Sequence, residues 1–337
     1  MIKLAIIGCG YWGINYVRVF SEIPDVCVKI ACDQNPERLQ VIRERYPLID
    51  ARESWEETVS DREIDAVVIA APARDHYLLS RGSLSNGKHV LVEKPLASDV
   101  SQAEALVREA KESGRILMVG HTFLYNAGIR KMKELMSSDS FGRIHYLHAT
   151  RTNMGPIRRD VNVVWDLASH DIAIFNYLLD AEPIWVSAVG SRVFSPERED
   201  VGFVALNYPR GVIASIHTSW LDPNKVREVV VVGSQRRIVF DDLKNLERVR
   251  IFEKGVGPAE MEADSFGEFR LLVRDGDIIS PWIEPSEPLR NLALHFLECV
   301  RGESRPITDA VNGLSVVRVL AAIDKSLAER GAPVNVS

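Results

Sequence analysis

Over the first third of the chain, apolar runs alternate with stretches of helical spacing. The runs Ile2–Ile7, Val26–Cys32, Asp65–Ala71, His89–Val92 and "RILMVG" read as buried strands. "RDHYLLSRGSLSNG", closed by Gly87, reads as a helix between two of them. Val100, Ala103, Leu106, Val107 and Ala110 recur at helical spacing, with Gly114 at the end. Strands alternating with helices predict an α/β, doubly wound parallel sheet over residues 1–121. Past Gly120 the pattern changes. One more helical stretch, "GHTFLYNAGIRKMKELM", gives way to alternating runs such as "RIHYLHATR", "VGFVALNY", "GVIASIHTSW" and "REVVVVG". Consecutive strands without intervening helices predict a large, mainly antiparallel sheet. "VVWDLASHDIAIFNYLL" is apolar enough to be a helix packed on it, and two helices near 287–301 and 309–330 close the chain. Residues 122–337 are thus expected to form an α+β domain.

Composition narrows the class without changing that outline. The chain has 337 residues, too many for one ordinary core. Its net charge of −6 argues against a nucleic-acid binder. No apolar run approaches the ~18 residues of a membrane span, and "MIKLAIIGCG" runs into glycines without a cleavage site. The four cysteines show no paired framework, and Cys27 and Cys32, an odd number apart on a strand, point to opposite faces. Reduced thiols and a cytoplasmic protein follow as expectations. No His/Cys/Asp spacing suggests a metal site.

The chemistry starts at the first turn. Gly8, Gly10 and Gly13 form G-x-G-x-x-G directly after the first strand. The first glycine permits the tight turn, the second lets a pyrophosphate approach the backbone, and the third lets helix and strand pack closely. The helix N-terminus then offers N–H groups and a positive dipole end. Asp33 ends the second strand twenty residues after Gly13, where an acid would receive the adenosine ribose hydroxyls. A carboxylate there repels a 2′-phosphate, and no arginine follows until Arg38, so NAD is expected, with NADP as the alternative. In such sheets ligands bind at the carboxyl ends of the strands. Ala71-Pro72 and Glu93-Lys94-Pro95 lie at such ends, which makes a core strand that stops in two opposite charges and a proline a candidate site.

"GCGYWG" at Gly8, "AAPARDHYLL" with Pro72 and His76, and "GKHVLVEKPLA" from Gly87 to Ala97 resemble the family of glucose-fructose oxidoreductase, inositol dehydrogenase and MocA. The resemblance covers the whole chain. It implies an NAD(P)-dependent dehydrogenase or reductase acting on the CH–OH of a sugar. It implies a cofactor site drawing on Gly8, Gly10, Tyr11, Trp12, Gly13, Asp33, Ala71, Pro72, His76, Glu93 and Lys94. It also implies a cis bond between Lys94 and Pro95, and a catalytic triad of Lys94, Asp166 and His170. Asp166 and His170, four apart, share one helix face, where the carboxylate can orient the imidazole. The open face of the second sheet is used for oligomerisation in the family, so a homodimer or homotetramer is expected.

The substrate is less sharply marked. Arg151, Arg158 and Arg159, with Asn153 and Asn162 among them, lie on the segment that leads to Asp166. Arginine forks match phosphate or carboxylate, which suits a nucleotide-linked sugar or a uronate. A free sugar or polyol such as inositol is the alternative, and a non-catalytic dinucleotide-binding sensor is a third reading. Tyr125 and His217 complete the candidate substrate contacts; Trp220 and Lys225 either line the sugar pocket or are ordinary sheet residues.

Overall fold

The computed structural model describes residues 1–155, 157–158, 161–194, 196–258, 271–274 and 276–337, and it divides into two compact units. The first comprises 1–126 and 286–321, the second 127–285 and 322–337.

The first unit is built on a six-stranded parallel sheet of order β3-β2-β1-β4-β5-β6. Its strands are β1 (Ile2–Ile7), β2 (Val26–Cys32), β3 (Asp50–Arg52), β4 (Ala66–Ile69), β5 (His89–Val92) and β6 (Leu117–Val119). Helices α1 (Tyr11–Ser21), α2 (Pro36–Arg45), α3 (Trp55–Ser60), α4 (His76–Ser85) and α5 (Val100–Ser113) connect them. Leu4, Ile6, Val67, Val68, Val90, Leu91 and Met118 are fully buried, as expected of central parallel strands covered on both faces. Asn35 caps α2 by accepting from the Glu37 N–H, and Asp99 caps α5 by accepting from Ser101 and Gln102. Gly114 ends α5 at φ +62°, in the left-handed region. By contrast, α1 begins at Gly10 with no side-chain cap.

The chain after 285 departs from the expected division. Helix α8 (Pro288–Arg301) and the start of α9 (Ala310–Ala328) belong to the first unit. Arg18 pairs with Glu287, Arg290 with Glu22 and Arg318 with Glu104. The Val119 N–H donates to Thr308 O at 2.8 Å. The apolar stripe of α8 (Leu289, Leu292, Phe296) is buried there. A contiguous boundary at 121 cannot register the return of the chain to the first unit at Ser286.

In the second unit, α6 (Ala127–Met136) precedes β7 (Ile144–Thr152). A π-helical turn (Val164–Ala168) and α7 (Ser169–Leu179) follow. Next come β8 (Trp185–Ser191), β9 (Val201–Asn207), β10 (Ile213–Ser219), β11 (Val226–Gly233), β12 (Arg237–Asp241) and β13 (Val249–Phe252). β14 (Gly255–Pro258) and β15 (Leu271–Arg274) form a separate ribbon; β16 (Ile278–Ile279) and β17 (Val334–Asn335) are edge strands. The nine-stranded sheet has the order β16-β13-β12-β11-β7-β10-β9-β8-β17. It is antiparallel except where β7 and β10 run parallel side by side. Alternation along β9 and β10 buries Val204, Leu206, Ala214 and Ile216 and leaves Phe203, Ala205, Ile213 and Ser215 on an open face.

Candidate active site

The first βα turn is shaped by what a side chain would strike. Gly8 sits at φ +91°, and a Cβ there would lie 2.7 Å from the backbone of Ala70 and Ala71. A Cβ on Gly13 would stand 1.8 Å from the Gly8 carbonyl oxygen. The turn therefore keeps its backbone close to β4, and the uncapped start of α1 leaves its first N–H groups without a side-chain acceptor. Asp33 is buried at the end of β2. Its Oδ2 accepts from the Cys9 N–H at 2.7 Å and its Oδ1 from the Asn35 N–H at 2.8 Å. Arg38 reaches the same carboxylate, with Nη1 3.2 Å from Oδ2. The arginine that spacing alone set aside thus sits at the acid, because α2 turns its first face back toward β2. A cavity of about 470 Å³ opens here, lined by Gly8, Asp33, Arg38, Ala71 and Pro72 among others. A fixed carboxylate, a glycine-rich turn and a concave wall fit the adenosine half of a dinucleotide. Burial pushes the neighbouring Cys9 thiol up to about 12 and Cys32 up to about 11, so neither is a reactive thiolate.

Tyr11 and Trp12, at the start of α1, are exposed beside that turn. On the same rim of the sheet, the loop after β5 is held by two buried groups. The Glu93 carboxylate accepts from the Tyr16 hydroxyl at 2.7 Å and from the Lys94 N–H at 3.2 Å. Burial, and then the facing Glu93 charge, raise the Tyr16 phenol well above its ordinary pKa, so it remains a donor. A Cβ on Gly120 would come within 3.0 Å of Glu93 Oε1 and 3.2 Å of the Tyr16 hydroxyl, so glycine leaves room for this pair. The His76 ring lies between two carbonyl oxygens, Nδ1 2.7 Å from Pro95 O and Nε2 2.9 Å from Ala71 O. His76 is fully buried and Glu93 nearly so. Both, expected as cofactor contacts, fix the loops that form the rim. The Lys94–Pro95 bond is cis, as the resemblance implies.

His121, at the end of β6, was not singled out from the sequence. It is buried, and neither ring nitrogen has a hydrogen-bond partner among the described residues. Burial, and then the Lys94 charge, push its pKa from 6.5 down to about 3. A depressed folded-state pKa means stability is complete above the unfolded value and is lost as pH falls toward 3. At pH 5 the deficit is about 2 kcal/mol, from 1.5 pH units at 1.36 kcal/mol each. Urea melts at pH 7 and pH 5 should differ by about that much more in wild type than in His121→Gln. Equal pH slopes would show that His121 is not held neutral.

In the second unit, Asp166 lies within the π-helical turn and His170 in the first turn of α7. Asp166 Oδ2 accepts from Trp220 Nε1 at 3.3 Å, and Arg158 Nη1 stands 3.4 Å from Oδ1. The turn is pinned further by Trp165, whose Nε1 donates to Asp324 at 2.6 Å, and by Asn162, which donates to Asp324 at 3.1 Å and to Glu199 at 3.3 Å. Burial raises the Asp324 pKa.

Six of the seven expected substrate contacts lie among the described residues, and each has its own surroundings. Arg158 stands at Asp166, and Asn153 is half-buried just past β7. Asn162 is committed to two acids. Arg151 is buried, with Nε 3.0 Å and Nη2 2.7 Å from the Asp171 carboxylate. It balances a core charge. Tyr125 belongs to the first unit, fully buried, with its hydroxyl at Thr308 Oγ1. His217 stacks on Phe203 at 4.4 Å on the open sheet face. A Cβ on Gly202 would fall 2.8 Å from Val164 and 3.3 Å from Thr218 Oγ1, which puts the π turn on the opposite face from His217. Arg159 lies outside the described residues.

Asp171 was missed because its partner is twenty residues away, on the strand before the loop. Arg151→Met should strand that carboxylate in the core and destabilise the protein by about 3–5 kcal/mol in urea unfolding. Arg151→Met/Asp171→Leu should recover most of it. A loss below about 1 kcal/mol in the single variant would show that the pair is not needed.

A glycine turn on a parallel sheet, an acid at the end of β2 and a lysine on the carboxyl rim define an NAD-dependent oxidoreductase. Residues 2–121 match the model of the oxidoreductase family with an NAD-binding Rossmann fold, and 129–239 match the GFO/IDH/MocA C-terminal domain. The chain belongs to the GFO/IDH/MocA family. It is 26% identical over 262 residues to UDP-N-acetylglucosamine 3-dehydrogenase of Acidithiobacillus ferrooxidans, covering 76% of this chain and 78% of that protein. It is 26% identical over 349 residues to scyllo-inositol 2-dehydrogenase (NAD(+)) of Bacillus subtilis, covering 99% and 96%. The WlbA dehydrogenase of Bordetella pertussis, solved with NADH and UDP-GlcNAcA, shares the fold at TM-score 0.80 and 21% identity, covering 100% of this chain and 99% of that one.

Proposed function

We propose that this oxidoreductase interconverts a secondary alcohol and a ketone on a nucleotide-linked sugar or uronate, with Lys94, Asp166 and His170 as its catalytic residues. The observation that carries the chemistry is the fixed Lys94 loop: buried Glu93 and His76 hold it at the rim where β5 ends. Gly8, Gly10, Gly13 and Asp33 hold NAD, which supplies the hydride acceptor. An alcohol proton does not leave unaided near neutral pH. His170 takes it as general base, since an imidazole titrates near the working pH. Lys94 donates to the same oxygen and stabilises its developing negative charge. Asp166 accepts from the imidazole and keeps its tautomer. In the reducing direction His170 returns the proton.

Arg158 supports an anionic substrate, because a guanidinium more than a third exposed beside the catalytic acid is placed to meet a phosphate or carboxylate. The two relatives whose names carry a UDP-sugar agree with that. A polyol substrate is the second reading, favoured by the inositol dehydrogenase that aligns over nearly the whole chain. Arg38 beside Asp33 leans toward NADP. The exposed Tyr146, Val189, Phe203 and Ile213 on the open sheet face suit a second copy of the chain, as a homodimer or homotetramer. All four cysteines are free, in keeping with a cytoplasmic protein.

The test is reduced-nicotinamide absorbance with NAD or NADP across UDP- and dTDP-linked sugars, uronates and free polyols. Turnover with a nucleotide-linked sugar, lost in His170→Ala, is the expected result. Turnover with polyols alone would overturn the substrate class and leave the catalytic assignment standing.

A further inference from the structure

We propose that Trp220 is a positioning residue for Asp166: its buried indole N–H fixes one carboxylate oxygen and so aims the other lone pairs of the carboxylate. The inference rests on Asp166 being catalytic. Trp220 follows β10 and is 2% exposed. Its backbone is fixed on both sides. The Trp220 N–H donates to Asp200 O at 3.0 Å, and the next N–H, of Leu221, donates to Ser219 Oγ at 3.0 Å. An indole has one donor and no acceptor, so the contact from Nε1 to Asp166 Oδ2 at 3.3 Å runs in one sense only. A purely packing role at this position would not require that N–H, and a buried indole usually finds a partner for it.

The surroundings show why such support is needed. Asp166 sits in a π-helical turn, a local widening of the helix that is uncommon and recurs at functional sites. The residue before it, Trp165, is pinned by a second indole–carboxylate contact to Asp324 at 2.6 Å, and Asn162 Oδ1 accepts from the Trp165 N–H at 3.0 Å. The turn is thus held on one flank by Trp165 and at the carboxylate itself by Trp220. Arg158 is the weaker support, since its guanidinium is more than a third exposed and screened by water.

Trp220→Phe keeps a ring in the core and removes the donor. It should lower kcat about tenfold, the effect of one hydrogen bond to a charged acceptor, while KM and Kd for NAD stay at wild-type values. The discriminating measurement is the cycle with Asp166→Ala. If Trp220 acts through Asp166, adding Trp220→Phe to Asp166→Ala should change kcat less than twofold. An equal tenfold loss in both backgrounds, or none in either, would overturn the assignment. If Asp166→Ala itself keeps wild-type kcat, the catalytic reading of Asp166 has failed and this inference goes with it. An impaired Asp166→Ala with additive behaviour overturns Trp220 alone. Should Trp220→Phe lose its fold, benzothienylalanine at 220, which has the shape of tryptophan with sulfur in place of N–H, should give the same tenfold loss with an unchanged melting temperature. Wild-type turnover in that protein would overturn the proposal.

Discussion

Lys94→Met is expected to lower kcat by about 10²–10³-fold, the range for removing a donor from a developing oxyanion, with NAD affinity within about twofold of wild type. The prediction is sharp because two supports of the loop do not involve the lysine side chain. Glu93 receives the Tyr16 hydroxyl and the backbone N–H of residue 94, and His76 reaches the carbonyl of Pro95. Methionine keeps a similar unbranched stem and removes the ammonium. The loss should appear in kcat, since an interaction made mainly in the transition state leaves ground-state binding unaltered. Steady-state kinetics with the best substrate of the panel, alongside calorimetric NAD titration, would check it. A variant within tenfold of wild type would remove Lys94 from the chemistry. A variant that no longer binds NAD would instead make it a structural part of the cofactor site.

Gly13→Ala is expected to weaken NAD binding by about a hundredfold or more and to destabilise the protein by about 3 kcal/mol. Its new methyl would lie 1.8 Å from the Gly8 carbonyl oxygen, and the nearest atoms are backbone with no rotamer to yield. The first turn must open, which moves the N–H groups of α1 away from the pyrophosphate position and parts α1 from β1. Calorimetric titration and thermal melting together would test this. Gly10→Ala is the control. Its Cβ would meet only the Arg38 guanidinium, at 3.7 Å, so the loss of stability should be small. Near-wild-type stability in Gly13→Ala would show that the turn relaxes more easily than its geometry implies.

Most of the architecture was legible because it is periodic. Central parallel strands such as Ile2–Ile7 are continuous apolar runs, and the helix Val100–Ser113 announces itself by its stripe, its Asp99 cap and Gly114. Three of the features that were not legible show the reason. The edge strand Asp50–Arg52 is short and half-exposed, so no apolar run marks it. The parallel pairing of β7 with β10 joins strands far apart in the chain, and alternation says which face a residue takes but not which neighbour it has. The π turn at Val164–Ala168 reads as ordinary helix, and the acids it is tied to, Glu199 and Asp324, lie far along the chain.

At the candidate site the same division holds. Motif and spacing determined the family, the glycine turn, the acid of β2 and the lysine on the rim, since each depends on residues close together in the chain or on a strand end. Which arginine meets solvent and which neutralises a core acid was decided only in three dimensions. Arg151 and Arg158 look alike in the sequence, yet one is sealed against Asp171 and the other stands at Asp166. The task of Trp220 likewise came from a partner 54 residues away. Local sequence determines backbone preference and burial pattern. The partner of a buried polar group is set by packing between distant segments, and only the tertiary structure decides it.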